Sequence, residues 1–331
     1  MADKLTLAVS NRAKSGTIKK LPASIDVTTA STIEELQQKL AKASGVKDYN
    51  RIGVFDPVTR KIIRDRRAVL GAQENVVNQM AILVQDLGAQ MGWRTVYIIE
   101  YAGPILFHLL FFYLRPIIPL PASLSLGQTA SRSDAITDIQ RLVYVLFQLH
   151  FLKRELETLF LHRFAANTMP ARNVFRNSAF YWLLAGFACA WSLYAPLSPF
   201  RVSSNFPAAS PPRSGFGTSP LDYVGITLFV FGEIANFSVH WHLAHLRSPG
   251  GTEKKIPNAF GSSLVTAPNY MFEVISWLGV ILIARDIVVV IFISVGMLYM
   301  RMWSRDKERA LRRLFPDKYK KKKYTMLPGL I

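Results

Sequence analysis

The stretch Ala267-Pro268-Asn269-Tyr270-Met271-Phe272-Glu273-Val274-Ile275-Ser276-Trp277 decides the fold. It opens an apolar block that reads as a membrane helix, yet it carries an amide, a phenol and a carboxylate. Asn269 and Glu273 are four residues apart and share a helix face; Tyr270 and Glu273 are three apart and also adjoin. An ionisable group at membrane depth is costly and marks a pathway or a site. The bland reading is a helix start at the headgroup level, with Tyr270 as an interfacial anchor and Asn269 as a cap.

The block runs from Ala267 to Met302, too long for one span at about 20 residues each. Arg285-Asp286 in its middle suggests a tight turn between two spans. Upstream, apolar runs cover Val96 to Ile118, with Pro104 inside, Phe180 to Leu197, and Tyr223 to His240. Residues 136–161 form a further helical stretch that is amphipathic, interrupted by His150, Lys153, Arg154, Glu155 and Glu157. The total is about six membrane helices in a mainly α membrane protein. Residues 198–219 are a Ser/Pro-rich loop without helical periodicity, and His242 to Asn258 reads as a loop on one face of the membrane. Lys and Arg cluster in the N-terminal region, in 153–176, 247–255 and 301–323. The positive-inside rule puts these segments and both termini in the cytosol.

Composition agrees with membrane residence. Half of the 331 residues are hydrophobic, and 40 Lys and Arg against 22 Asp and Glu give a formal charge of +18. Such an excess suits nucleic acid, an anionic membrane surface or a phosphorylated ligand. The basic residues lie on loops between spans with no recognition module, which disfavours nucleic acid. A single cysteine, Cys189, excludes an intrachain disulfide and a multi-cysteine metal site, and it sits in an apolar run as a core residue. The first twenty residues lack the apolar core of a signal peptide, so insertion is expected from internal spans.

Residues 1–85 read as a separate soluble α+β domain, with a membrane-embedded domain at 86–331. Leu5 to Ser10 alternates like a strand, and Ile25-Asp26-Val27 suggests a second. Ser31 is expected to cap a helix with Glu34 as its capping-box partner; Leu36, Leu40 and Ala43 extend its apolar stripe, and Gly45 ends it. Ile52 to Phe55 and Lys61 to Ile63 read as further strands. This order is that of a ubiquitin-like β-grasp.

Four polar groups are candidates for chemistry. Glu100 lies near the start of the first span, where it could simply satisfy the helix dipole. In 150–158, Lys153 and Glu157 are one turn apart, as in an ordinary ion pair. Asn236 and His240 share a face of the fourth span, as in interhelical hydrogen bonding; the loop beside them carries Arg247, Lys254 and Lys255, which could clamp phosphates. The fourth group is Asn269, Tyr270 and Glu273. There is no GxGxxG after a strand, no P-loop, no HExxH and no GxSxG. The histidines are scattered, with no adjacent pair, so no metal site is expected.

The runs Lys153-Arg154-Glu155-Leu156-Glu157-Thr158-Leu159-Phe160-Leu161-His162-Arg163-Phe164 and Thr168-Met169-Pro170-Ala171-Arg172-Asn173-Val174-Phe175 resemble those of the very-long-chain trans-2-enoyl-CoA reductases. So do Gly232 to His240, Leu246-Arg247, Lys255-Ile256-Pro257 and Pro268-Asn269-Tyr270. These enzymes belong to the steroid 5-alpha-reductase superfamily. The resemblance covers essentially the whole chain, including the N-terminal domain. It implies the final reduction of fatty-acid elongation in the endoplasmic reticulum membrane, with NADPH as cofactor, a long-chain trans-2-enoyl-CoA as substrate, membrane lipid as surroundings, and elongase, ketoacyl reductase and dehydratase subunits as partners. Tyr270 then matches the family's essential tyrosine, Glu100 its glutamate near the first span and Lys153 the basic residue of its KRxLET motif. Asn236, Arg247, Lys255, Asn269 and Glu273 fall where the superfamily contacts its dinucleotide, and His240 and Lys254 join them as cofactor candidates. The resemblance implies Tyr270 as general acid, positioned by Lys153 or Glu100. One departure concerns the C-terminus: Glu308 and Leu311 stand where the family has His and Tyr, and a carboxylate is a poor neighbour for a phosphate. A steroid or polyprenol reductase, or a non-catalytic elongase-complex subunit, are the alternatives.

Overall fold

The computed structural model describes residues 3–13, 15–114, 136–164, 168–194, 219–246 and 255–330. They form two compact units, Met1–Val96 with Phe164–Arg176, and Tyr97–Arg163 with Asn177–Ile331. The Ser/Pro-rich loop and most of the basic loop at 247–254 lie outside the described residues.

In the first unit, β1 (Lys4–Asn11), β2 (Ser24–Thr28), β3 (Ile52–Phe55) and β4 (Ala81–Asp86) form a four-stranded sheet in the order β2-β1-β4-β3. β1 runs antiparallel to β2 and parallel to β4, and β3 closes antiparallel on β4. Alternation drives the pairing: Leu5, Leu7 and Val9 face the core while the residues between them stay exposed. The core continues through Ile33, Leu36 and Leu40 of α1 (Ile33–Ser44), which are fully buried. The start of α1 lies one residue later than expected. Thr32, not Ser31, is the N-cap, and Glu35 completes its capping box. Ser31 is instead occupied with Thr28, whose backbone N–H donates to its hydroxyl. Gly45 ends the helix at φ 72°, as expected. The stripe closes on Ala41 and Ser44, while Ala43 is exposed. The central strand β4 was not legible as such, although Ile82 and Val84 alternate into the core. The short α2 (Glu74–Gln79) precedes it, and β5 (Gln90–Gly92) pairs antiparallel with β6 (Thr168–Pro170).

The second unit is helical. α3 (Trp93–Leu114) carries Pro104; α4 (Asp138–Leu156) continues into a π-helical turn, Glu157–Leu161. α5 (Asn173–Ala179) runs through a π-helical segment, Phe180–Ala188, into α6 (Cys189–Tyr194). α7 (Pro220–His245), α8 (Pro268–Ala284) and α9 (Ile287–Leu314) complete it. Among the described residues, α3, α7 and α9 are long and apolar enough to cross a membrane, and α8 is a shorter apolar helix. The turn expected at Arg285-Asp286 is present: Arg285 closes α8 in the left-handed region at φ 49°, and Asp286 caps α9 through Val288 and Val289 N–H.

α4 lacks the polar outer face of a soluble helix, while its inner face mixes Val143, Leu146, Phe147 and Phe151 with buried polar groups. Val145, Leu149, Leu152 and Leu156 are exposed along one stripe, while His150 and Glu157 are buried on the other. The outer surface of α7 is likewise apolar, with Phe231, Ile234, Phe237 and Trp241 exposed. Such a surface suits lipid as solvent.

α7 and α8 pack closely through glycines. A Cβ on Gly232 would sit 2.6 Å from the Ser276 backbone nitrogen and 2.8 Å from the Phe272 carbonyl, and one on Gly279 would sit 2.3 Å from the Gly225 carbonyl. Small residues at a helix seam let backbones approach, the usual way to hold helices together where apolar lipid provides no drive. Gly232→Ala is expected to destabilise the protein by about 1–3 kcal/mol through overpacking. Gly296→Ala is expected to be tolerated, because its Cβ would meet only Phe180, at 3.6 Å. Thermal unfolding of the two variants in detergent checks the contrast.

Candidate active site

Helical spacing gathers the polar residues. His150, Lys153, Arg154 and Glu157 fall at i, i+3, i+4 and i+7 on α4 and its π-turn; Glu233, Asn236 and His240 do so at i, i+3 and i+7 on α7; Asn269 and Glu273 lie one turn apart on α8. These three faces meet. The Lys153 ammonium donates to Glu233 Oε2 at 2.9 Å and to Asn236 Oδ1 at 2.7 Å, and lies 3.5 Å from Glu157 Oε1. Asn236 Nδ2 donates to the Asn269 carbonyl at 2.9 Å and to Glu273 Oε2 at 3.1 Å. His150 bridges two carboxylates, with Nδ1 at 2.7 Å from Glu233 and Nε2 at 3.2 Å from Glu273. Arg154 donates to Glu157 Oε2 at 2.7 Å and to the Tyr101 hydroxyl at 3.0 Å, and its Nη1 lies 3.1 Å from His240 Nδ1. His240 Nδ1 is also 3.0 Å from Glu157 Oε2. As a bare nitrogen it accepts from the guanidinium; as an N–H it donates to the carboxylate.

The arrangement is close to neutral in charge. Of three carboxylates, Glu157 pairs with Lys153 and Arg154, Glu233 with Lys153 and His150, and Glu273 with His150. Both nitrogens of His150 point at carboxylates, so both donate in the imidazolium form, which supplies the third positive charge. Every partner is needed, since a buried charge left alone is far costlier than a paired one.

Lys153, Asn236, His240, Asn269 and Glu273 are therefore brought together in one network. Tyr270 stands beside it on the first turn of α8, half-buried, with Tyr97 and Arg154 nearby and Trp303 at 6.3 Å between ring centroids. Its hydroxyl makes no hydrogen bond among the described residues. Glu100 is buried elsewhere on α3 and bonds to the Asn177 side chain. No hydrogen bond or ion pair among the described residues joins it, or Lys153, to Tyr270. Lys153 is committed to Glu233 and Asn236 instead, which departs from the expectation that Lys153 or Glu100 positions the tyrosine. Lys255 is exposed, and Arg247 and Lys254 lie outside the described residues.

The sequence assigns no site role to His150, Arg154 or Glu233, and gives Glu157 only as an ion-pair partner of Lys153 within the candidate stretch 150–158. For three of them the signal was present: His150 and Glu157 share a helix face with Lys153, and Glu233 shares one with Asn236. Arg154 matters most, because it contacts α7 through His240 and α3 through Tyr101, with its guanidinium carbon 5.3 Å from the Tyr101 ring centroid. The π-turn that carries Glu157 follows directly, and such turns recur at functional sites. Glu157, His162 and His240 could also hold a metal ion by spacing. The Arg154 guanidinium already occupies the Glu157 and His240 atoms concerned, so the arrangement suits an ion pair better.

Glu308 has a partner set of its own. The Thr266 and Tyr319 hydroxyls each donate to its Oε2 at 2.5 Å, and Lys322 N–H donates to Oε1 at 3.3 Å. The carboxylate is satisfied within the protein, so it does not stand as a bare charge against a phosphate. It fastens the C-terminal segment beside the start of α8, where Ala267 N–H also donates to the Thr325 carbonyl at 3.0 Å. Burial and the Glu308 hydrogen bond push the Tyr319 phenol up to about 12 from 10. A raised folded-state value means that this contribution is complete below about pH 10 and lost as the pH rises toward 12. Glu308→Ala is expected to cost about 1–3 kcal/mol by orphaning buried hydroxyls. Limited proteolysis after Phe315 should detect the loosened segment.

Among the described residues several buried polar atoms have no hydrogen-bond partner, and two of them lie in this site: Glu157 Oε1, 3.5 Å from the Lys153 ammonium, and Asn269 Oδ1. Asn269 Oδ1 accepts nothing, although its side chain heads α8 inside the network. An orphaned acceptor in a site is a place for a ligand donor.

Residues 167–331 match the family described as 3-oxo-5-alpha-steroid 4-dehydrogenase. The chain is 34% identical to a Caenorhabditis elegans protein named as a probable very-long-chain enoyl-CoA reductase, covering 92% of this chain and 93% of the relative. It is 29% identical to the very-long-chain enoyl-CoA reductase of Dictyostelium discoideum over 95% and 96% of the two chains. It is also 29% identical to the trans-2,3-enoyl-CoA reductase-like protein of Mus musculus, over 92% and 79%.

Proposed function

Because the chain belongs to the very-long-chain enoyl-CoA reductase family, within the group that carries the 3-oxo-5-alpha-steroid 4-dehydrogenase domain, we propose that it reduces the trans-2 double bond of a long-chain enoyl-CoA with NADPH. The observation that carries the reading is the first turn of α8, where Asn269 Oδ1 and the Tyr270 hydroxyl have no hydrogen-bond partner among the described residues and lie against a fixed charge network. An amide acceptor fits the carboxamide N–H of a nicotinamide, and the Glu273 carboxylate and His240 imidazole fit ribose hydroxyls. Asn236 holds Asn269 and Glu273 in place, and Arg247, Lys254 and Lys255 are the residues we assign to the phosphates.

When bound, NADPH supplies the hydride for Cβ. Tyr270 is the residue that donates a proton to Cα, its neutral phenol standing within reach of substrate rather than of protein acceptors. Charge developing on the thioester oxygen is offset by Arg154, the cation nearest in role, held rigid by Glu157 and Tyr101. Lys153 acts through Glu233 and Asn236, keeping the face of α7 aligned. Glu100 shapes the wall of tyrosines around Tyr97 and Tyr101 on α3.

The finer architecture belongs to the same reading. Six spans follow if α4, the α5–α6 run and α8 cross the membrane beside α3, α7 and α9. Residues 1–85 form the ubiquitin-like domain and 86–331 the reductase, a division supported by the mixed β2-β1-β4-β3 sheet packed with α1. Both termini are cytosolic in an endoplasmic reticulum membrane, and the elongase, ketoacyl reductase and dehydratase are the partners. The domain's description favours a steroid as second substrate class. The test is NADPH oxidation by the detergent-purified protein. Turnover is expected with a long-chain trans-2-enoyl-CoA and none with a 3-oxo-4-ene steroid; the reverse would reassign the substrate.

A further inference from the structure

The end of α9 forms a basic groove that the reductase site does not use. Arg309, Arg312 and Arg313, with Pro316 and Tyr319 of the following segment, line a volume of about 480 Å³. The three arginines sit at i, i+3 and i+4, so they crowd one helix face and repel one another. Arg309 is paired with Asp306. Neither Arg312 nor Arg313 makes a hydrogen bond or ion pair among the described residues. A helix C-terminus favours cations, which accounts for basic residues in the last turn but not for three exposed arginines gathered with Pro316 and the buried Tyr319 around one open depression.

We propose that this groove is the subsite for the phosphates of the substrate's coenzyme A, the proposal resting on the enoyl-CoA reading. Guanidinium forks match phosphate oxygens in pairs, and several phosphates on one flexible ligand call for several such forks. The groove is tied to the reaction centre by its own wall. Tyr319 lines it and bonds to Glu308, Glu308 accepts from Thr266, and Thr266 is four residues before Tyr270. A nucleotide anchored there leaves its pantetheine arm to run toward the head of α8, where the thioester must lie for Tyr270 to reach Cα. The Glu308 carboxylate does not compete, since its oxygens are taken by three protein donors. The residue that departs from the family pattern thereby becomes the hinge pin of the groove.

The same phosphate chemistry could come from NADPH or from an anionic lipid headgroup, and the experiment separates these sources. Full-length wild type and the double variant Arg312→Gln/Arg313→Gln are compared in neutral detergent. The substrates are one long-chain trans-2-enoyl group carried on coenzyme A and the same group on N-acetylcysteamine, which has no phosphate. The preference for the coenzyme A thioester, as a ratio of kcat/KM values, is expected to fall at least about 10-fold in the variant, through KM. Free coenzyme A binding, measured by calorimetry without turnover, should weaken by a similar factor. An unchanged preference and unchanged coenzyme A binding overturn the proposal. So does an equal loss on both thioesters with a raised KM for NADPH, which gives the groove to the cofactor. A variant defect that appears only in binding to vesicles containing phosphatidylserine gives it to the membrane and overturns it too. Wild type that binds coenzyme A through these arginines but reduces neither thioester upholds the subsite while refuting the reaction.

Discussion

Tyr270→Phe lowers kcat on a long-chain trans-2-enoyl-CoA by roughly 100- to 10,000-fold, the usual worth of a positioned general acid. The substitution removes one hydroxyl that makes no hydrogen bond among the described residues, so the folded protein has little to lose: ring packing against Trp303 is retained. Stability should therefore stay near that of the wild type while turnover collapses. Binding of NADPH should also persist, because the cofactor candidates Asn236, Asn269 and Glu273 are held by each other and by Lys153 rather than by the phenol. Pre-steady-state absorbance of the bound cofactor checks the step. A variant that keeps more than a tenth of wild-type kcat would remove Tyr270 from the acid role.

The second large effect is on stability. Glu233→Leu is expected to cost about 3–5 kcal/mol, the range for breaking a buried ion pair by deleting one partner. Glu233 accepts from both His150 and Lys153, at 2.7 and 2.9 Å, and is 13% exposed on its side chain. Without it, two cationic groups on α4 face α7 with one carboxylate fewer. Adding Lys153→Met restores the charge balance and should recover more than half of the loss, because buried ion pairs exchanged for packed apolar groups are often near neutral. Chemical or thermal unfolding in detergent gives both numbers. A single-variant cost below about 1 kcal/mol would mean that water enters the network and screens it.

Much of this site was legible because helix periodicity alone puts Asn236 with His240 and Asn269 with Glu273. Glu233 escaped notice for a different reason. A lone carboxylate in an apolar span has no local partner, and its partners His150 and Lys153 come from a helix 83 and 80 residues away. Arg154 was hidden by proximity: beside Lys153, its neighbour by one residue, it points some 100° around the helix, to Glu157, His240 and Tyr101. Glu100 shows the converse. Its place near the first apolar run is legible in the sequence, but its burial and its partner from α5, Asn177, arise only from packing. In the first unit, β1 and α1 were read from local pattern, whereas β4 gains its meaning from a parallel pairing with β1, which joins residues over 70 positions apart. The shift of the α1 cap from Ser31 to Thr32 is the ordinary one-residue ambiguity of two adjacent hydroxyls.

The apolar outer face of α4 also sets how this protein tolerates change. In a water-soluble protein, random replacement is harmless on the surface and harmful when it shrinks the core. With α4 among the proposed spans, the outward stripe of Val145, Leu149, Leu152 and Leu156 is expected to accept any apolar side chain but reject charge, and the inward stripe to accept almost nothing. A saturation scan of α4 would thus trace two interleaved periodic signals. One set of positions would be indifferent to shape and sensitive to polarity; the other, one helical half-turn away, would be locked to the identity of its residue.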